Sequence, residues 1–287
     1  MTLPNFLIIG AHKAGTSSLY HYLREHPEIY MPALKEARFF AYDENNPDHR
    51  RKVPKTYPIT TMQEYEALFH EVKNEKAIGE ASPEYLNNAR SAERIRECLP
   101  SAKLIASLRN PIDRTYSEFI MRYRSGNENR SISEAIGSNE RWVRTGFYYD
   151  KLKRYMDVYD NSQIEVVLFE DLVADPLKIA QRLFTFLGVD NTYTPDISKQ
   201  YNLGGIPKNK ILNSFFNIIK NPSIKKSINF LIPESLTIIG RNIRQRNLAK
   251  PPPLSLEVRE QMLAVFRDDI LRLQELIQRD LSSWLRA

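Results

Sequence analysis

Residues 6–26, FLIIGAHKAGTSSLYHYLREH, constrain this chain more than any other stretch. Phe6-Leu7-Ile8-Ile9 is an apolar run of the length of one buried strand. Gly10 and Gly15 follow with Lys13 between them, and Thr16-Ser17-Ser18 then opens a helical pattern through Leu19, Tyr22 and Leu23. Together these make a cradle for phosphate. The glycines let the backbone approach an anion, the first helical N–H groups point at it, and the helix dipole favours its charge. Lys13 adds a point charge, and the hydroxyls add donors. The spacing from Gly10 to Gly15 fits the nucleotide P-loop G-x-x-x-x-G-K-[ST], but Thr16 stands where that motif has its lysine. The cradle is P-loop-like, with its cation displaced.

Strand and helix patterns alternate from Phe6 to Gly188, which predicts βαβ units on a parallel sheet. A short strand begins at Lys76 and runs into Gly79-Glu80-Ala81-Ser82-Pro83. A buried strand over 103–108 ends on Arg109-Asn110-Pro111, and the helix from Ile112 carries Ser117. A further strand covers 164–169, and a helix over 177–187 stops at Gly188, a suitable C-terminal cap. Ligands of such sheets bind beyond the carboxyl ends of the strands, which puts Lys13, Glu80 and Arg109 on one rim. Residues 43–58 are polar and proline-bearing and read as a surface loop; 61–69 reads as a helix capped by Thr60 or Thr61. Near the end, 256–276 is an amphipathic helix with Val258, Met262, Phe266, Ile270, Leu273 and Ile277 on its apolar stripe. The fold expected is a three-layer α/β domain with a central parallel sheet flanked by helices. Residues 1–190 would form the core, and 191–287 a basic, helical C-terminal lid.

The 287 residues suffice for a substantial core, and their 42% apolar and 26% charged content is that of an ordinary globular chain. Cys98 is the one cysteine, so neither an intramolecular disulfide nor a thiolate metal cluster is expected. No signal peptide or membrane span is visible, and a cytoplasmic enzyme is the expectation. The net charge of +6 is uneven: residues 205–250 hold nine Lys or Arg against Glu234 alone, leaving about −2 for the rest.

The displaced lysine carries a resemblance. G-x-x-K-[ATS]-G-T-[ST]-[ST]-L resembles the 5′-phosphosulfate-binding loop of PAPS-dependent sulfotransferases. LRNPIDRTYSEF is similar to that family's 3′-phosphate segment, R-[ND]-P-x-x-R-x-x-S. Lys35-Glu36-Ala37-Arg38-Phe39-Phe40 resembles the K-E-x-x-F-F segment of the heparan sulfate type. Gly146-Phe147-Tyr148 followed by Lys151-Leu152 resembles a G-x-Y-x-x-x-L segment near the cofactor. The resemblance implies PAPS as donor and PAP as product, held by Lys13, Ala14, Gly15, Thr16, Ser17, Ser18, Arg109, Ser117 and Tyr148. Arg246, Asn247 and Lys250 lie where heparan-type enzymes carry a basic loop, but the glycines of that loop are missing here. The implied reaction is in-line sulfuryl transfer, with no metal, to a hydroxyl or amine of a carbohydrate or glycoconjugate, Lys13 stabilising charge on the leaving phosphate oxygen.

Three residues are candidates for the base. Glu36 holds the position that serves as general base in the heparan type, Glu80 is similar to a second acidic position near the acceptor, and His12 neighbours Lys13. Lys35 and Arg38 would lower the pKa of Glu36, and burial beside Phe39 and Phe40 would raise it. Alternatives stay open. Val166-Val167-Leu168-Phe169-Glu170-Asp171 resembles a strand ending in a metal-binding acid, as an NTPase or kinase requires. A non-catalytic nucleotide-binding protein would keep the fold alone. The basic stretch 205–250 reads as closure over cofactor and acceptor, or as contact with an anionic membrane surface through its mixture of apolar and cationic residues. No nucleic-acid recognition motif accompanies it, and no nucleic-acid partner is expected.

Overall fold

A computed structural model describes residues 2–137, 140–199, 204–209, 212, 243 and 247–287. Five strands form one parallel sheet: β1 (Phe6–Gly10), β2 (Ile29–Tyr30), β3 (Ala77–Ala81), β4 (Lys103–Leu108) and β5 (Ile164–Leu168). Their order is β2-β3-β1-β4-β5. β1 pairs with β3 in the register Phe6 to Gly79 and Ile8 to Ala81, and with β4 in the register Leu7 to Leu104 and Ile8 to Ile105. The chain therefore leaves β1, fills one side of it, and crosses to the other. That reversal at β1 is the switch point at which open α/β sheets bind ligands.

Helices connect and cover the strands: α1 (Thr16–Arg24), α2 (Pro47–Arg51), α3 (Met62–Ala67), α4 (Glu84–Asn87), α5 (Ser91–Cys98) and α6 (Pro111–Arg124). Then come α7 (Ile132–Gly137), α8 (Arg141–Arg144), α9 (Tyr149–Met156), α10 (Phe169–Ala174), α11 (Pro176–Leu187) and α12 (Leu256–Ile277). Local signals explain most of their ends. Thr61 and Glu64 form a reciprocal capping box on α3, which decides between Thr60 and Thr61. Gly188, at φ 79°, closes α11 by donating its N–H to the carbonyl of Phe184 at 2.9 Å. Residues 43–58 are not all loop. Asn46 accepts a hydrogen bond from the N–H of Asp48 and Pro47 occupies the first turn, so the short α2 forms inside them. The strand expected over 164–169, β5, stops at Leu168, because Phe169 already begins α10.

The described chain packs as two compact units. The first comprises Met1–Arg114, Phe147–Tyr201 and Phe266–Arg286, the second Thr115–Gly146 and Asn202–Val265. The first unit holds the five-stranded sheet. Every residue of β1 is buried, as expected of a strand covered on both faces. Phe6, Ile8 and Ile105 join Leu19, Leu23, Ile179, Leu183 and Phe184 in the core under α1 and α11. The stripe of α12 is apolar for the same reason: Phe266, Ile270 and Leu273 are buried in the first unit, and Val258 and Met262 in the second. In the second unit a two-residue antiparallel pair joins β6 (Ile206–Pro207) to β7 (Leu248–Ala249). Among the described residues, no helix is long and apolar enough to cross a membrane. The segment 211–236, with its mixture of apolar and cationic residues, lies outside the described residues except for Leu212.

Gly79 is where β3 meets the Phe6 ring: a Cβ there would stand 2.1 Å from Phe6 Cζ. Gly79→Ala is expected to destabilise the protein by about 1–3 kcal/mol through overpacking. Adding Phe6→Leu should return part of that loss; urea unfolding of the single and double variants measures both.

Candidate active site

The loop after β1 turns through two left-handed residues, Lys13 (φ 68°) and Gly15 (φ 85°), and delivers Thr16 as the first residue of α1. Gly15 is required twice over, since a Cβ there would also lie 2.7 Å from Leu172 Cδ2. Ala14 is buried, and its carbonyl accepts a hydrogen bond from the hydroxyl of Ser107 on β4. No acid occupies the first turn of α1, so the positive end of the helix faces the loop without a competing carboxylate.

Arg109, the residue after β4, reaches the same loop. Its Nη1 donates to the carbonyl of Lys13 at 3.3 Å, and its guanidinium lies over the Phe169 ring, 4.6 Å from the centroid. Burial draws its pKa down, against the opposing pull of Asp113, Tyr148 and Glu170. Tyr148 is fully buried and reaches the site through Arg109: its hydroxyl donates to the Arg109 carbonyl at 3.0 Å. Burial raises the Tyr148 phenol well above its usual value, so it remains a donor. Asp269 on α12 accepts from the N–H groups of Tyr148 (2.7 Å) and Tyr149 (3.1 Å) and so caps α9. Asp269 was not foreseen, although an acid within the apolar stripe, three residues after Phe266, is a legible signal.

Glu36 and Arg38 are both left-handed, at φ 65° and 56°. Non-glycine residues pay for such backbone with strain of order 1–3 kcal/mol, which the surroundings must offset. Here β3 supplies the offset. Glu36 N–H donates to the Ala81 carbonyl at 3.0 Å, and Arg38 N–H to Ser82 Oγ at 2.9 Å. Ser82 in turn donates to Glu80 Oε2 at 2.9 Å, and the Tyr85 hydroxyl to Glu80 Oε1. Glu80 is 1% exposed and therefore secures the loop from behind. Ser82 and Tyr85 are further residues that sequence reasoning missed.

The carboxylate of Glu36 meets Arg38 Nη2 on one side and Lys35 Nζ, at 3.3 Å, on the other. Lys35 Nζ also donates to Ser17 Oγ at 3.0 Å, joining the Glu36 segment to the first turn of α1. Burial pushes the Glu36 carboxyl up, but the Arg38 hydrogen bond and the charges of Lys35, Arg38 and His12 outweigh it, leaving the pKa below the usual value. His12 lies 3.1 Å from Glu84. Phe39 stacks on Tyr65 at 4.7 Å, and Phe40 packs edge-on to Tyr65 and Tyr85 behind the segment.

The first unit thus brings together Lys13, Ala14, Gly15, Thr16, Ser17, Ser18, Glu36, Glu80, Arg109 and Tyr148. Ser117, in the second turn of α6, belongs to the second unit, as do Asn247 and Lys250. Asn247 uses its amide on the backbone of Asn209, accepting at 2.9 Å and donating at 3.1 Å, and Lys250 is exposed. Arg246 lies outside the described residues. The acids considered as metal ligands have scaffold partners. Glu170 accepts from the Asn110 N–H at 2.9 Å, and Asp171 pairs with Arg279 at 2.8 Å.

Residues 4–194 match the model of the sulfotransferase family. The chain belongs to that family. A sulfotransferase from Alicyclobacillus acidocaldarius superposes with a TM-score of 0.74 at 31% identity, over 100% of both chains. Among curated sulfotransferases, the membrane-associated sulfotransferase kil1 of Dictyostelium discoideum is 38% identical over 42% of this chain and 23% of its own length. The heparan sulfate glucosamine 3-O-sulfotransferase 5 of Mus musculus is 28% identical over 81% of this chain and 65% of its own. This sulfotransferase-family chain therefore spans from about a quarter to about two thirds of those curated relatives.

Burial raises the Glu80 carboxyl from 4.5 to about 7, against the hydrogen bonds from Tyr85 and Ser82. A folded-state pKa above the unfolded one makes a contribution to stability that is whole below pH 4.5 and lost as pH rises through about 7. The loss is about 3 kcal/mol, at about 1.4 kcal/mol per pKa unit. Glu80→Gln should therefore gain about that much relative to wild type between pH 4.5 and pH 8, measured by urea unfolding at the two pH values.

Proposed function

We propose that this protein transfers a sulfuryl group from PAPS to a hydroxyl or amine of a carbohydrate or glycoconjugate acceptor, with Glu36 as general base. The observation that carries the reading is the junction of phosphate loop and base segment, in which Lys35 links Ser17 to Glu36. The residues fit the donor: a left-handed cradle at Lys13 and Gly15, an acid-free start to α1, and the cations Lys13, Lys35 and Arg109. When bound, PAPS would supply the sulfuryl group and depart as PAP.

The chain's residues divide the work. The loop amides and the hydroxyls of Thr16, Ser17 and Ser18 hold the 5′ end, and Lys13 neutralises charge developing on the leaving phosphate oxygen, where preorganised donors act most strongly. Arg109, oriented by Tyr148 and Phe169, takes the 3′-phosphate. Glu36 accepts the acceptor's proton as its oxygen or nitrogen bonds to sulfur. Lys13, Lys35 and Arg109 supply the cationic charge, so the step is proposed to run without a metal. The carbohydrate acceptor is supported by the Glu36 segment and by the likeness to the heparan sulfate relative.

Glu36→Gln is expected to lower kcat by about 10²–10⁴-fold, the range of a general base, without weakening PAP binding. Lys13→Ala should lower kcat more than it weakens donor binding. Transfer of radiolabelled sulfate from PAPS to an acceptor panel reads the first two effects; full turnover in Glu36→Gln would overturn the base. PAP should raise the melting temperature, and Arg109→Ala should reduce that rise; a shift with ATP–magnesium and none with PAP would favour a phosphotransferase.

A further inference from the structure

One ammonium spans the two halves of the site. Lys35 Nζ lies 3.0 Å from Ser17 Oγ, in the first turn of α1, and 3.3 Å from Glu36 Oε1. Its side chain is only 22% exposed, so its charge is poorly screened by solvent. The other cation on Glu36 is held in place: Arg38 donates its backbone N–H to Ser82 and Nη1 to the Thr56 carbonyl at 3.5 Å. Lysine is the reverse case, a point charge on a flexible stem with three rotatable donors.

We propose that Lys35 couples the donor to the base: an anion held at Ser17 draws the ammonium away from Glu36, and Glu36 becomes a stronger base only when the donor is in place. This rests on the reading of the loop as a phosphosulfate site and of Glu36 as the base. Glu36 is faced by Lys35 and Arg38 from its own segment, by His12 from the phosphate loop and by Glu80 from the end of β3. Of these, Lys35 hydrogen-bonds both to Glu36 and to the hydroxyl of Ser17. A phosphate at Ser17 competes for that proton donor with more negative charge than one carboxylate carries.

The proposal makes Lys35 a positioning residue, and its test reads Glu36 directly. In protein carrying ¹³C-labelled glutamate, the Glu36 carboxyl resonance is identified by its loss in Glu36→Gln and titrated with and without PAP. PAP should raise the titration midpoint of Glu36 by about one pH unit, the scale of a displaced neighbouring charge. In Lys35→Met the midpoint should start higher and move less. Lys35→Arg, which keeps the charge, should restore part of the PAP-dependent movement and serves as the second variant if Lys35→Met does not fold. Binding of PAP to each protein is followed by calorimetry. PAP binding with an unmoved Glu36 midpoint, or with equal movement in wild type and Lys35→Met, overturns the coupling and leaves the donor reading intact. No binding of PAP to wild type removes the donor reading and the coupling with it.

Discussion

The parallel pairing of β1 with β3 on one side and β4 on the other is the constraint on which the site depends. Parallel strands end at the same edge, so one pairing pattern delivers three chain segments to one place. The phosphate loop follows β1, Glu80 and Ser82 close β3, and Arg109 follows β4. Gly79 allows the β1–β3 contact by leaving room for Phe6. The backbone N–H groups of the two left-handed residues in the segment 35–40 are held by the backbone and hydroxyl at the end of β3.

Charge in the site is arranged in layers. Lys35 hydrogen-bonds to Ser17 at the start of α1 and Arg109 to the loop that carries Lys13, where an anionic donor belongs in the proposed reaction. Behind them stand carboxylates whose environments differ. Glu80 is buried and hydrogen-bonded to Tyr85 and Ser82, and its pKa is high; Glu36 is paired with Arg38 and Lys35, and its pKa is low. Carboxylates separated this way take different tasks. Glu80 holds the frame, and Glu36 presents the charge. The contest between burial and neighbouring cations at Glu36, undecidable from residue types, is decided by the hydrogen bond from Arg38 together with the charges of Lys35, Arg38 and His12.

The legible part of the site was the part whose chemistry is local. Lys13, Gly15 and the hydroxyls of 16–18 lie within one strand–turn–helix, and Arg109 follows a recognisable buried strand. Ser82, Tyr85 and Asp269 escaped because their meaning lies in partners distant along the chain. Ser82 holds Arg38 across 44 residues, and Asp269 holds Tyr148 across 121. A serine after a strand or an acid in a helix looks ordinary until the fold supplies its partner. Tyr148, expected as a cofactor contact, is buried, and its hydroxyl donates to the carbonyl of Arg109.

By itself the sequence determined the class of fold, the phosphate loop, the strand-end arginine and the family resemblance. Those follow from hydrophobic period, glycine placement and the order of charged residues, all properties of short windows. The tertiary structure alone decided which acid is buried and which is paired, that Glu170 and Asp171 have scaffold partners, and that Lys35 bridges Ser17 at the start of α1 and Glu36. The reason is physical: pKa and hydrogen-bond partnership depend on distance and solvent exclusion, and the sheet sets both by joining segments that the chain keeps apart.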